Sequence, residues 1–459
     1  MMKLTIVGAG VSCAVPVIGH IEMPRAGCDA EGSAKTLSCC CDDAFRNPHS
    51  KNKRNNVSLL IELPIPAAPQ RAADEEAGGT NSVTADDPIR ILIDCGKTFR
   101  DAYQRVLAPK QVSYVDVLLL THGHADAMHC TQELCEMQAE ASTQLALSHS
   151  SSGANAFDRL RCLRAVPTFL TLPTLREVEA VSPSLAASST ICETIKDRTY
   201  SILDSAEGGD AGASVEQLEQ QKEHADVNSP TGRPHTALDI HLVPEDVPVR
   251  LHPYMDVLQH YLAPAGAAAF PFPMYTLPVE HGRNYISLGF VFGSGTAFVD
   301  ASEGGGGGGG GSCVIYLSDI SAIPAASLHF LRRLERVDVL IVDLLAEKGT
   351  QSPPHYCWDD IMPVVRLLSP HKVYCVGMFC SLDYASANAL WVVDLEEEKA
   401  RLRDALARPE GPLPPVHLSG APAPEAWTAA EARRRAERFV ACTESIELAY
   451  DGQELELPM

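Results

Sequence analysis

Short apolar runs, rich in Val, Ile and Leu, recur along the chain between polar segments. They are Leu4–Val7, Val57–Leu63, Ile89–Ile93, Val115–Leu120, Val314–Leu317, Val339–Leu345 and Val373–Val376. Continuous runs of this length, enriched in β-branched residues and bounded by turn formers, predict buried strands. Helical patterns over Ala325–Leu334 and Trp358–Leu368 lie between some of them. Strands that mix with helices without one strict βαβ period predict a layered α/β domain in which helices cover sheets.

Five segments break this pattern and read as insertions. Pro64–Asp87 is rich in Ala, Pro, Glu and Gly, and Ser148–Asn155 in Ser and Gly. Asp204–Arg233 is polar and charged, Gly304–Gly311 is a run of glycines, and Pro409–Pro424 is Pro-rich. Such compositions bury little surface, so they are expected as solvated excursions from one core spanning residues 1–459. A literal multidomain arrangement is the competing reading.

Composition narrows the function. Hydrophobic residues are 45% of the chain, enough for a full core, which excludes wholesale disorder. The formal charge of −22 argues against broad binding to nucleic acid or anionic membrane, although it leaves room for a local basic patch. The uncharged stretch Tyr261–Val279 carries Pro264, Pro271, Pro273 and Pro278, which speaks against a membrane helix. The first residues lead into a strand-like run without the apolar core of a signal peptide. The 15 cysteines are therefore expected as reduced thiols or metal ligands in a cytosolic protein.

The segment that carries chemistry is Thr121-His122-Gly123-His124-Ala125-Asp126, directly after the run Val115–Leu120. Two imidazoles and a carboxylate leave the end of a buried strand within five residues. His122 and His124 alternate, so they can point to one side and share a metal. The competing reading is a polar loop with two surface histidines. Gly8 and Gly10 do not make a dinucleotide fingerprint, because Cys13 stands where the third glycine belongs.

This segment resembles the T-H-x-H-x-D-H signature of the metallo-β-lactamase fold hydrolases, with Ala127 in place of the last histidine. Other segments resemble the phosphodiesterase-like branch, which includes ribonuclease Z and the phosphoribosyl cyclic phosphate phosphodiesterases. They are Gly8-Ala9-Gly10-Val11-Ser12 with Val15-Pro16-Val17-Ile18-Gly19, Ser50–Ser58, and Ile91-Leu92-Ile93-Asp94-Cys95-Gly96. Further along come Pro278–Gly282, Tyr316–Ser321, Gly377-Met378, and Tyr450-Asp451-Gly452, which resembles the final strand. Several segments in one order are more specific than any one of them.

The resemblance implies a four-layer αββα sandwich with the metal at one edge. It implies a first zinc site made by His122, His124, His281 and Asp319. A second site would draw on Asp126, Asp319 and Cys380, the last standing where the family has a histidine. Cys380 could equally be a small buried residue. His355, in Pro353-Pro354-His355, resembles a histidine near the substrate phosphate, with an ordinary loop histidine as the alternative. Cys28, Cys39 and Cys41 fall where some relatives hold a structural zinc, and free thiols are the other reading. His20 stands where a cysteine is common there, and Tyr384 where a histidine is.

The function implied is a zinc-dependent hydrolase, a phosphodiesterase attacking a small phosphodiester with metal-bound hydroxide. Asp126 would handle the proton of the water and His355 would assist the leaving group. The alternative is a degenerate, noncatalytic member that binds or scaffolds, and thioester or lactam hydrolysis is a third reading.

Overall fold

The computed structural model describes residues 1–21, 39–65, 88–148, 165–195, 237–262, 270, 272–298, 311–408, 411–419 and 428–459. These residues form fourteen strands. The first seven are β1 (Met2–Gly8), β2 (Ser58–Leu63), β3 (Ile89–Ile93), β4 (Val117–Leu119), β5 (Val166–Leu170), β6 (Thr190–Thr194) and β7 (Leu238–Leu242). The others are β8 (Met274–Glu280), β9 (Ile286–Phe292), β10 (Val314–Leu317), β11 (Val339–Asp343), β12 (Lys372–Val376), β13 (Ser445–Leu448) and β14 (Glu454–Leu457).

They build two mixed sheets. One has the order β14-β1-β2-β3-β4-β5-β7-β6 and the other β13-β12-β11-β10-β9-β8. In the first, β14, β1, β2 and β3 pair antiparallel, and the pairs from β3 onward are parallel. In the second, β10 to β13 run parallel and β8, β9 and β10 antiparallel.

The period of two along each strand decides the layers. Leu4, Ile6, Ile61, Ile91, Ile93, Val117 and Leu119 belong to the core shared with the second sheet. Their alternating neighbours Val7, Leu60, Leu92 and Leu118 join a separate cluster with Phe99, Leu107, Leu134 and Val178. The second cluster is the helical cover, made by the helical segment 99–110 and the helices Thr131–Ser148 and Leu172–Val181. Both faces of these strands are therefore apolar. Burying each such side chain stabilises by about 1.5–3 kcal/mol, which explains the continuous Val, Ile and Leu runs.

The outer side of the second sheet is covered by helices Ala325–Arg332, Trp358–Leu368, Tyr384–Leu406 and Ala429–Cys442. Trp358 and Trp391 stack at 3.9 Å between two of them. Helix Trp358–Leu368 starts where the Asp360 carboxylate accepts the Cys357 amide at 2.9 Å. It ends at Ser369, whose left-handed φ of 48° stops the helix before Pro370. The result is the four-layer αββα arrangement expected from the sequence.

Two expectations are corrected. Tyr450-Asp451-Gly452 is not the final strand but the link between β13 and β14, with Gly452 at φ 87°. The Pro-rich segment is no free excursion where it is described. Leu413 and Leu418 pack on the core, and the buried Arg366 guanidinium donates to the Pro414 and Pro415 carbonyls at 2.6 and 3.3 Å. Prolines lack a donor but keep a strong acceptor, and a buried arginine uses it. Most of the other four insertions lies outside the described residues. Among the described residues no helix is long and apolar enough to cross a membrane.

Candidate metal centre

The ends of β4, β8, β10 and β11 converge on one edge of the sandwich. β4 delivers His122, and the chain then turns through Gly123 to His124. A Cβ at Gly123 would lie 2.8 Å from Glu177 Cγ, so a side chain there would have to push Glu177 aside. Thr121 is pinned by Asp94 at the end of β3, with its amide and hydroxyl each donating to the carboxylate at 2.8 Å. Its oxygen is also 2.8 Å from His122 Nδ1. The Thr121 hydroxyl donates to Asp94, so it accepts from His122 Nδ1–H and leaves the lone pair on Nε2. His122 Nε2 is buried and has no hydrogen-bond partner.

β8 ends at Glu280 and hands over His281. Its Nδ1 is 2.7 Å from the Pro354 carbonyl, an acceptor only, so Nδ1 carries the proton there. Its Nε2 lies 3.2 Å from His124 Nδ1. Tyr285 stacks on His124 at 4.7 Å with 2° between the planes, and its hydroxyl accepts the Gly123 amide at 2.9 Å. One nitrogen from each of His122, His124 and His281 lies within 4.8 Å of the other two. Burial holds His122 well below the usual imidazole range, and burial lowers His124 as well. Both therefore stay neutral, the form that binds a metal.

Asp319 follows β10 in a left-handed conformation with φ 52° and is buried. His281, Asp319 and His355 form a second group with atoms within 4.8 Å. Asp126 is half-buried, 4.0 Å from His122 Nε2. Ala127 is buried, with its backbone bonded to His124 and Cys95, and offers only a methyl group.

His355 Nδ1 is 2.8 Å from Asp343 Oδ2 and 3.9 Å from Asp319 Oδ1. Burial works against its charge, but the Asp343 carboxylate and its hydrogen bond outweigh burial, and His355 is raised to about 9. Asp343 and Asp94 were not singled out from the sequence. The available signal was an Asp closing an Ile/Leu/Val strand, as in Ile89–Asp94 and Val339–Asp343. A carboxylate there must face either solvent or a site.

Cys380 is not at this edge site. It sits with His20, Cys39 and Cys41, and one atom from each of the four lies within 4.8 Å of the others. Cys380 Sγ is 3.3 Å from His20 Nδ1, and Cys41 Sγ is 3.9 Å from the same nitrogen. The Cys40 amide donates to the Cys380 carbonyl at 2.9 Å, which ties the two loops together. Beyond β12, Gly377 at φ 78° lets the chain turn, and Met378 pairs with Gly10. That turn carries Cys380 to the N-terminal loops. Burial, then the neighbouring Cys41 and Cys39 thiols, push Cys380 up, so a cation there would be needed to hold thiolates. Cys28 lies outside the described residues. Tyr384 packs under Lys51, whose amine lies 4.5 Å from its ring and 4.2 Å from that of Tyr450.

Both clusters fit metal binding on their own chemistry. The edge site holds an orphaned buried nitrogen aimed at two further lone pairs and a carboxylate. The loop site has three thiols and an imidazole, the donor set of a closed tetrahedral zinc site.

No protein-family model and no curated protein matches the chain. Solved structures do. A diphosphatase from the PhnP family matches at 18% identity and TM-score 0.45, over 99% of this chain and 98% of that one. The metallo-β-lactamase fold protein YhfI from Bacillus subtilis matches at 10% identity and TM-score 0.38, over 99% and 98%. Human tRNase Z, short form, matches at 12% identity and TM-score 0.36, over 82% and 92%. Two mixed sheets packed face to face under helices, with H-x-H-x-D leaving a strand of one and His281 and Asp319 leaving strands of the other, give this chain the metallo-β-lactamase fold.

Proposed function

We propose that the chain is a zinc-dependent hydrolase acting on a small phosphodiester. The observation that carries this reading is the buried, unpartnered Nε2 of His122 facing His124 and His281, beside a cationic His355. His122, His124, His281 and Asp319 would hold the ion. Zinc supplies Lewis acidity and acidifies water. Asp126, half-buried beside His122, accepts the proton that the attacking water loses. Asp343 fixes the proton on His355 Nδ1, so Nε2–H of the imidazolium is free to donate to a phosphoryl or leaving oxygen.

Ala127 offers no donor and Cys380 lies in the other cluster, so the reading is a one-metal site with slower turnover than a two-metal clamp gives. The same two residues favour the second reading, a noncatalytic binding protein. We further infer that the Cys/His cluster holds a structural zinc, that the whole chain is one domain, and that it works in a reducing compartment.

The test is metal content of the purified protein with hydrolysis of bis(p-nitrophenyl) phosphate. Zinc that disappears from the edge site in His122→Ala/His124→Ala, together with activity, supports the hydrolase. An edge site without metal after zinc supplementation, or a zinc-loaded protein inert toward a phosphodiester panel, leaves the binding role.

A further inference from the structure

A basic pocket lies at the other end of the second sheet. Helix Trp358–Leu368 begins beside His355 and ends at this pocket, about 16 Å away at 1.5 Å per residue. The cavity measures about 290 Å³ and is lined by Arg332, Arg333, Arg434, Arg435, Arg438 and Ser369. Glu431 is the acid on its wall. Five guanidinium groups against one carboxylate reverse the sign of a chain whose net charge is −22.

Part of this charge has a structural use. Arg435 donates to the Leu367 and Arg332 carbonyls at 2.7 and 3.0 Å, capping the ends of two helices, and also pairs with Glu431 at 3.4 Å. Two helix C-termini bring roughly one negative charge between them. Together with Glu431 they offset about two of the five cations. Among the three or so that remain are Arg434 and Arg438, one turn apart on helix Ala429–Cys442, with no ion pair among the described residues. Like charges at that spacing destabilise a helix, so nothing in the helix itself calls for them. Burial and the charges of Arg332 and Arg438 all depress Arg435, a sign that the cations are crowded.

Ser369 is the second observation. It is 2% exposed, and its hydroxyl has no hydrogen-bond partner. A buried hydroxyl without a partner is costly, and this one lines a cavity ringed by guanidiniums. We propose that this pocket binds a compact, multiply charged oxyanion, a phosphate or diphosphate group either free or carried on a nucleotide. Arg434 and Arg438 supply the charge and forked donors, and the Ser369 hydroxyl donates to an oxygen at the pocket floor. The site is independent of the hydrolase reading.

The test is isothermal titration calorimetry of the full chain with pyrophosphate and, separately, with ADP. Both are run in the His122→Ala/His124→Ala background with chelator, so that no edge metal takes the anion. The expected result is saturable one-to-one binding that weakens at least about a hundredfold in Arg434→Ser/Arg438→Ser, since two charge-assisted contacts are lost together. Ser369→Ala should weaken it less, with the melting temperature of the free protein unchanged or raised. Equal affinity for pyrophosphate and ADP assigns the free anion, and tighter ADP assigns the nucleotide. Absence of binding, unchanged affinity in the double variant, or binding of single-stranded RNA that pyrophosphate does not displace each overturns the proposal.

Discussion

The two donor clusters differ in the donors they bring together and in the elements that hold them. The edge cluster takes imidazoles and carboxylates from the ends of β4, β8, β10 and β11, and His124 remains exposed while Asp126 is half-buried. The loop cluster takes three thiols and one imidazole from segments that are neither strand nor helix at His20, Cys39 and Cys380. Strand ends are rigid, so the edge site can hold neutral donors close together without closing the sphere. Loops need the ion to hold them. A site that leaves a position open to water can do chemistry, and a tetrahedral sphere closed by thiolates and an imidazole cannot. The loop group shares no residue with the edge groups, so loosening the loop site should reach the edge site only weakly.

The largest expected effect separates the clusters outright. His122→Ala/His124→Ala should remove the edge zinc and lower phosphodiesterase kcat/KM by at least about a thousandfold, while about one zinc per chain stays with the cysteines. Plasma mass spectrometry beside the assay reads both, and a simultaneous loss of both zincs would mean that the clusters are not independent. The converse variant, Cys41→Ser, should release the loop zinc and lower the melting temperature by on the order of 5–10 °C. Its kcat at 20 °C should stay within a few-fold of wild type. A melting curve unmoved by Cys41→Ser would show that the thiols carry no ion.

Within the edge site, Asp343→Asn tests the charge on His355. His355 is raised to about 9, so activity that needs its proton should hold up to that pH and fall above it. Without the carboxylate the limb should move down toward the ordinary value near 6.5 or below, because burial then acts unopposed. At pH 8 that is a loss of at least about thirtyfold, recovered on acidification. A pH profile parallel to wild type would remove His355 from the proton chemistry. The smallest effect belongs to Tyr285→Phe, which keeps the stack on His124 and loses the bond to the Gly123 amide. One hydrogen bond is worth about 1 kcal/mol, so kcat should drop roughly three- to tenfold with zinc content intact.

Much of the layered core was legible because strands buried on both faces need uninterrupted Val, Ile and Leu. Ile89–Ile93 and Val314–Leu317 carry the same bounds in the structure as in the apolar pattern. β6 and β7 were not legible: Thr190–Thr194 is a short, largely polar edge strand, and Leu238–Leu242 beside it is short and polar on alternate positions. The T-H-G-H-A-D segment was visible for a local reason, since two donors two residues apart at a strand end need no tertiary information to face one way. His281 and Asp319 entered only through resemblance, and the structure brings both to the same edge as His122 and His124.

What the sequence determined by itself was therefore the two-sided burial of the strands, the excess of negative charge and the paired histidines after β4, all properties of neighbours along the chain. The tertiary structure alone decided which distant donors meet. Cys380 stands in sequence where an edge ligand was expected, but the turn at Gly377 and the tie from Cys40 place its sulfur 3.3 Å from His20. Asp343 acquires its role only when β11 sets it 2.8 Å from His355. The arginines of helix Ala429–Cys442 form a basic pocket only because that helix packs against two helix ends and encloses a cavity. Ligand sets and charged pockets depend on contacts between residues far apart in the chain, and local pattern carries no record of those contacts.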